Sequence, residues 1–116
     1  MGEALAMGLL DAGWENADIE LGARRVERGH RVEADTSCRW VLKPAEIISG
    51  KDVVVVAVKP RDVHRLLEQI HPLFNSRQVL VSIAAGVPIA VFEKVLGQIP
   101  VIRAMPNTPA IVREGI

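Results

Sequence analysis

Three short stretches place polar or very small residues on stiff backbone: Lys59-Pro60, Ala84-Ala85-Gly86, and Met105-Pro106-Asn107-Thr108-Pro109. The Asn107 amide can both donate and accept hydrogen bonds, and the prolines around it hold its loop rigid. Ala84, Ala85 and Gly86 are small enough for a flat ligand to approach the main chain. Lys59 adds a positive charge. Such a set suits an extended polar ligand. It holds no nucleophile beside a base and no set of metal ligands, so no catalytic or metal-binding residue is assigned. Each residue also has a plainer use. Lys59 could open a solvated loop, Asn107 could simply form a turn, and Arg24-Arg25 could be an exposed helix start. Ser82 reads as a satisfied core hydroxyl, and His30, His64 and His71 read as solvated.

The elements that position these stretches follow from hydrophobic patterning. Val53 to Val58 form an apolar run without alternation, which predicts a strand buried on both faces, as in parallel sheets covered by helices. The run stops at Lys59-Pro60, the carboxyl end of the strand, where ligands bind in open α/β sheets. Gln78–Ile83 and Pro100–Ala104 read as two further strands. Between them, the spacing predicts a helix over Asp62–Leu73 with Val63, Leu66, Leu67, Ile70 and Leu73 inward and Asp62 as its cap. A second helix is expected over Pro88–Leu96 with Ile89, Phe92 and Val95 inward. Strand, helix, strand, helix, strand at these lengths implies right-handed βαβ units. The three loops should then line up along one edge of the sheet.

Upstream, Met1–Asp11 reads as a helix with Leu5, Leu9 and Ala12 on one face. Ala4 and Gly8 would allow close approach to a neighbour, and Gly13 would end the helix in a left-handed turn. Asp18–Leu21 is a short strand candidate. Arg24–Ala34 is a helix candidate with a weak apolar face (Val26, Val32, Ala34), opposed by Gly29. Arg39–Val41 could form another strand, and Pro44–Ile48 a helical turn closed by Gly50.

The composition bounds the partners. With 116 residues the chain is one domain at most, and 49% apolar residues suffice for a core. Fourteen basic residues balance fourteen acidic ones, which gives no electrostatic case for nucleic acid or a membrane surface. Cys38 has no disulfide partner and fits a small hydrophobe in a reduced cytoplasm. No apolar run approaches the ~20 residues of a membrane span, and Met1-Gly-Glu-Ala-Leu5 lacks the basic start of a signal peptide.

Taken in order, Met1–Leu10, Ala57-Val-Lys-Pro60, Ser82-Ile-Ala-Ala-Gly86 and Arg103-Ala-Met-Pro-Asn-Thr-Pro109 resemble the amino-terminal domain of pyrroline-5-carboxylate reductase, the last enzyme of proline biosynthesis. Arg24–Arg28 with Cys38-Arg-Trp40 looks more particularly like actinobacterial members. The resemblance implies an α/β fold with a Rossmann-like doubly wound parallel sheet, residues 1–116 forming one partial NAD(P)-binding domain. It also implies missing parts. Family members begin with a strand and a Gly-x-Gly-Asn-Met-Gly turn, of which Met1-Gly2 match only the end, and they continue into a helical domain that forms the dimer and the substrate pocket. The chain then reads as lacking the first strand and the C-terminal helical domain, with Met1 an internal methionine. The strands near Ile19 and Val53 would have unpaired edges, and the chain alone would be unstable or aggregate.

By this resemblance, Gly2, Val58, Lys59, Pro60, Ala84, Ala85, Gly86 and Asn107 line the cofactor, with Asn107 towards the nicotinamide. The implied reaction is hydride transfer from a reduced nicotinamide to the C=N carbon of a cyclic imine carboxylate, giving L-proline. No residue stands out as proton donor. An acidic residue after the second strand would hold the ribose hydroxyls of NADH, whereas Gly22-Ala-Arg-Arg25 places Arg24 and Arg25 within reach of a 2′-phosphate, so NADPH is expected, with NADH possible. Two other readings stay open. One is a different Rossmann dehydrogenase, against which Met105–Pro109 argues. The other is a non-catalytic truncated or decayed fragment that binds nucleotide weakly.

Overall fold

The computed structural model describes residues 1–106. The chain divides into two compact units, Met1–Ile47 and Ile48–Pro106 among the described residues.

In the first unit, helix α1 (Gly2–Asp11) leads through a single 3₁₀ turn to strand β1 (Glu20–Gly22). Helix α2 (Val26–Thr36) and strand β2 (Arg39–Val41) follow, and β1 pairs β2 in parallel, Leu21 opposite Trp40. Ala6, Ile19 and Cys38 are buried together, with Leu9, Leu10 and Leu21 packed around them. The inward face of α1 is therefore rotated from the expected one: Ala6 is buried, while Leu5 is 37% exposed. Gly8 makes no close approach, because an added Cβ would meet nothing within 4 Å. Gly13 does take the expected positive φ, at 100°. α2 starts and ends two residues later than its pattern suggests. Val26 and Ala34 are exposed, and Gly29, Val32 and Thr36 form the buried face. The end is fixed locally. The Thr36 hydroxyl donates to the Val32 carbonyl at 2.7 Å, and Ser37 turns left-handed at φ 58°.

The second unit is a three-stranded parallel sheet, β3 (Val53–Val56), β4 (Val79–Ser82) and β5 (Val101–Arg103), in the order β3-β4-β5. The connecting helices are α3 (Val63–Ile70) and α4 (Ile89–Leu96). Right-handed crossovers running in one direction put both helices on one face. There Val56, Leu80, Val63, Leu67, Ile70 and Phe92 form the core. The segment expected as one helix, Asp62–Leu73, is α3 flanked by 3₁₀ turns at Pro60–Asp62 and His71–Leu73. Each turn contains a proline, whose missing N–H suits a helix start better than its interior. Asp62 makes no side-chain cap; it reaches Arg65 at 3.4 Å. Ile89 is 38% exposed rather than inward.

The valine run departs from its pattern most clearly. Val54 and Val56 face the helices, but Val53 is 49% and Val55 38% exposed, so the strand is buried on one face only. Register puts Val55, Val81 and the 55%-exposed Ile102 in one row across that uncovered face. Among the described residues, β1 pairs only β2, and β3 only β4, which leaves the expected unpaired edges. A flat, β-branched face beside an open edge favours self-association. Replacing Val53 and Val55 by lysine is expected to raise the monomer fraction in light scattering. An unchanged size distribution would show that this face does not drive association.

Candidate functional site

In the second unit the last paired row runs Val56, Ser82, Arg103. Because the strands are parallel, Ala57–Pro60, Ile83–Gly86 and Ala104–Pro106 all leave along the same carboxyl edge, as the sequence leads one to expect. Lys59 is extended (φ −61°, ψ 147°), and its carbonyl accepts the Asp62 N–H at 2.9 Å, which closes the turn into α3. The Lys59 and Pro60 side chains are exposed, whereas Val58 packs against the core.

At the end of β4, Ser82 is fully buried, and its hydroxyl accepts the Ala84 N–H at 3.3 Å. It is a core hydroxyl that holds the following turn. Ala84 is buried beneath it, while Ala85 and Gly86 are exposed. Gly86 has φ 71°, the left-handed region in which glycine is unstrained. A Cβ added there would meet no atom within 4 Å, so the main chain faces open space. These residues fit a flat ligand laid along the edge. Asn107, with Thr108 and Pro109, lies outside the described residues.

In the first unit, β1 ends at Gly22, and the Ala23 N–H donates to the Val41 carbonyl at 2.9 Å, carrying the chain round into α2. Arg24 and Arg25 are exposed at this strand end. Arg25 is the N-cap of α2 in extended conformation and makes no side-chain cap. The acid of β1, Glu20, opens the strand two residues before its end and pairs with Arg39 of β2. Gly2 opens α1. Next to it, Glu3 accepts from Arg28 at 2.6 Å, tying the first turns of α1 and α2 together. The sequence reading missed Glu3, Arg28 and Arg31; the three-residue spacing of Arg25, Arg28 and Arg31 was the available signal. His30, His64 and His71 are exposed; His30 sits edge-on to Trp40 at 5.3 Å between ring centres. Among the described residues no helix is long and apolar enough to cross a membrane.

Parallel strands ending in glycine- and alanine-lined turns, with helices opening at those ends, define a Rossmann-like dinucleotide-binding class. The chain belongs to the family described as NADP oxidoreductase, coenzyme F420-dependent, whose model matches residues 1–86. It is 37% identical over 116 residues to a pyrroline-5-carboxylate reductase of Pseudomonas aeruginosa, covering 99% of this chain and 42% of that one. It is 41% identical over 122 residues to the Mycobacterium leprae protein of the same name, covering 100% of this chain and 41% of the relative. Among solved structures, pyrroline-5-carboxylate reductase from Coxiella burnetii superposes with a TM-score of 0.93 at 28% identity, over 98% of this chain and 43% of that one. Plasmodium falciparum pyrroline carboxylate reductase, solved with NADP bound, gives 0.82 at 29% identity, over 99% and 42%. The likeness read from the motifs therefore extends over the whole chain. The chain spans about two-fifths of the length of these relatives.

Proposed function

We propose that residues 1–116 are a dinucleotide-binding domain of a reductase that transfers hydride from NADPH to the C=N bond of 1-pyrroline-5-carboxylate, yielding L-proline in the cytoplasm. The observation that carries this reading is the alignment of Lys59-Pro60, Ala84–Gly86 and Met105-Pro106 along one sheet edge, in a chain similar to pyrroline-5-carboxylate reductases from end to end. The nicotinamide supplies the hydride, and the imine nitrogen takes a proton; the protein binds and orients. Val58, Lys59, Pro60, Ala84, Ala85, Gly86 and Asn107 are candidate dinucleotide ligands. Gly2 meets phosphate at the start of α1, where helix amides favour anions. Arg24 and Arg25 take the 2′-phosphate. The whole enzyme acts as a homo-oligomer on a small cyclic imine carboxylate.

The cofactor choice is directly testable. Replacing Arg24 and Arg25 together by alanine should weaken NADPH binding about tenfold or more and leave NADH nearly unchanged, because guanidinium–phosphate pairing is lost for one ligand only. Titration calorimetry with both nucleotides reads this. Equal losses for the two would remove the assignment of these arginines.

A further inference from the structure

The guanidiniums of α2 extend beyond the two that open it. Arg25, Arg28 and Arg31 recur every third residue, so their side chains neighbour one another along the helix. With Glu27 they line an open surface depression of about 390 Å³ along α2. Three guanidiniums against Glu27 and, through Arg28, Glu3 leave a surplus of one positive charge. The surplus grows to two if Glu3 is displaced and then suits a phosphomonoester, with close to two negative charges at neutral pH. Arg25 and Arg31 have no ion-pair partner among the described residues. Arg28 has one, Glu3 of α1 at 2.6 Å.

We propose that Arg28 and Arg31 are specificity-determining residues that grip the terminal phosphate of a phosphorylated adenosine ribose, and that Glu3 sets the strength of that grip by competing for Arg28. This rests on the dinucleotide reading above and adds residues to it. The Glu3 side chain is 20% exposed and Arg28 is 51% exposed, so the pair is open to exchange. A phosphate entering the cleft offers Arg28 a doubly charged acceptor in place of a singly charged one, and an Arg–phosphate contact can be bidentate. Glu3 keeps the guanidinium at the cleft wall when no anion is present and weakens binding of any anion that cannot outcompete a carboxylate.

The test uses adenosine 2′-monophosphate against adenosine, and NADPH against NADH, titrated into the whole chain by calorimetry, with thermal melts confirming that each variant is folded. Arg28→Ala and Arg31→Ala should each weaken adenosine 2′-monophosphate and NADPH about three- to tenfold and leave adenosine and NADH unchanged. Glu3→Gln should tighten both phosphorylated ligands severalfold, an effect that shrinks as salt rises. A purely structural role for the Glu3–Arg28 pair would make Glu3→Gln weaken every ligand alike, and that result would overturn the proposal. If Arg28→Ala and Arg31→Ala bind the phosphorylated ligands as the parent does while NADPH is still preferred, the phosphate is held elsewhere. The inference then fails and the reductase reading stands. If the parent binds neither dinucleotide but adenosine 2′-monophosphate still responds to both arginines, the reductase reading fails and the anion cleft remains.

Discussion

Replacing Gln78 by leucine is expected to destabilise the second unit by about 3 kcal/mol, although leucine is similar in size and more apolar. Gln78 is only 1% exposed at the entrance to β4. Its amide nitrogen donates to the carbonyls of Ile48 at 2.7 Å and Lys51 at 2.9 Å, and its amide oxygen accepts the Asn75 N–H at 3.0 Å. One side chain thus ties three main-chain groups of the segments entering β3 and β4. Leucine removes all three bonds. The Ile48 carbonyl keeps only a long contact from the Lys51 N–H at 3.4 Å, and the part-buried Asn75 and Lys51 groups lose their side-chain partner. Each buried group left unsatisfied costs about 1–3 kcal/mol, less where it is part-exposed. For a unit of this size that lowers the melting temperature by about 10 °C or more, measurable by circular dichroism. Gln78→Glu should be at least as damaging, because it sets a carboxylate against two carbonyls. A leucine variant that melts within a degree or two of the parent would mean that these main-chain groups find other partners.

Gly29→Ala is expected to destabilise the first unit by about 2–3 kcal/mol, against the sign that helix propensity alone gives. Gly29 lies inside α2, where alanine is favoured by up to about 1 kcal/mol. A Cβ at this position, however, would fall well inside van der Waals contact of three ring atoms of Trp40, which packs against the bare glycine. The ring is held by several contacts. Its Nε1 donates to Glu33 at 3.1 Å, His30 stands against its edge, and its backbone is paired to Leu21. Overpacking therefore outweighs the propensity gain. Trp40→Leu should remove most of the penalty, so a double-mutant cycle between the two positions should show strong coupling. Independent effects would place the cost of Gly29→Ala elsewhere.

These two residues also mark where the sequence stops being legible. Order and type of the main elements follow from pattern alone: the valine run, the apolar stripe of Val63, Leu67 and Ile70, and the strands after Gln78 and Pro100. Burial does not follow. Six apolar residues in a row fit a strand covered on both faces, yet pattern cannot say which helices are there to cover it, and Val53 and Val55 stand exposed. Gly29 reads as a flaw in a helix until the tryptophan eleven residues later is seen to occupy its place. Gln78 reads as a polar residue before a strand until its three main-chain partners are brought round by the fold. Among the candidate ligand residues, Lys59, Ala84–Gly86 and Arg24-Arg25 were legible because glycine, proline and charge punctuate strand ends. Glu3 and Arg28 were not, since their pairing spans 25 positions and depends on how α1 packs against α2.

The most direct test of the proposed cofactor role is an amide-resolved titration of the chain with NADPH and, separately, with NADH. The expected result is that NADPH shifts the amides of Gly2, Lys59, Ala84, Ala85 and Gly86 in proportion to occupancy, and that it binds about tenfold more tightly than NADH. Binding without shifts at the strand-end residues, or equal affinity for the two nucleotides, would contradict it.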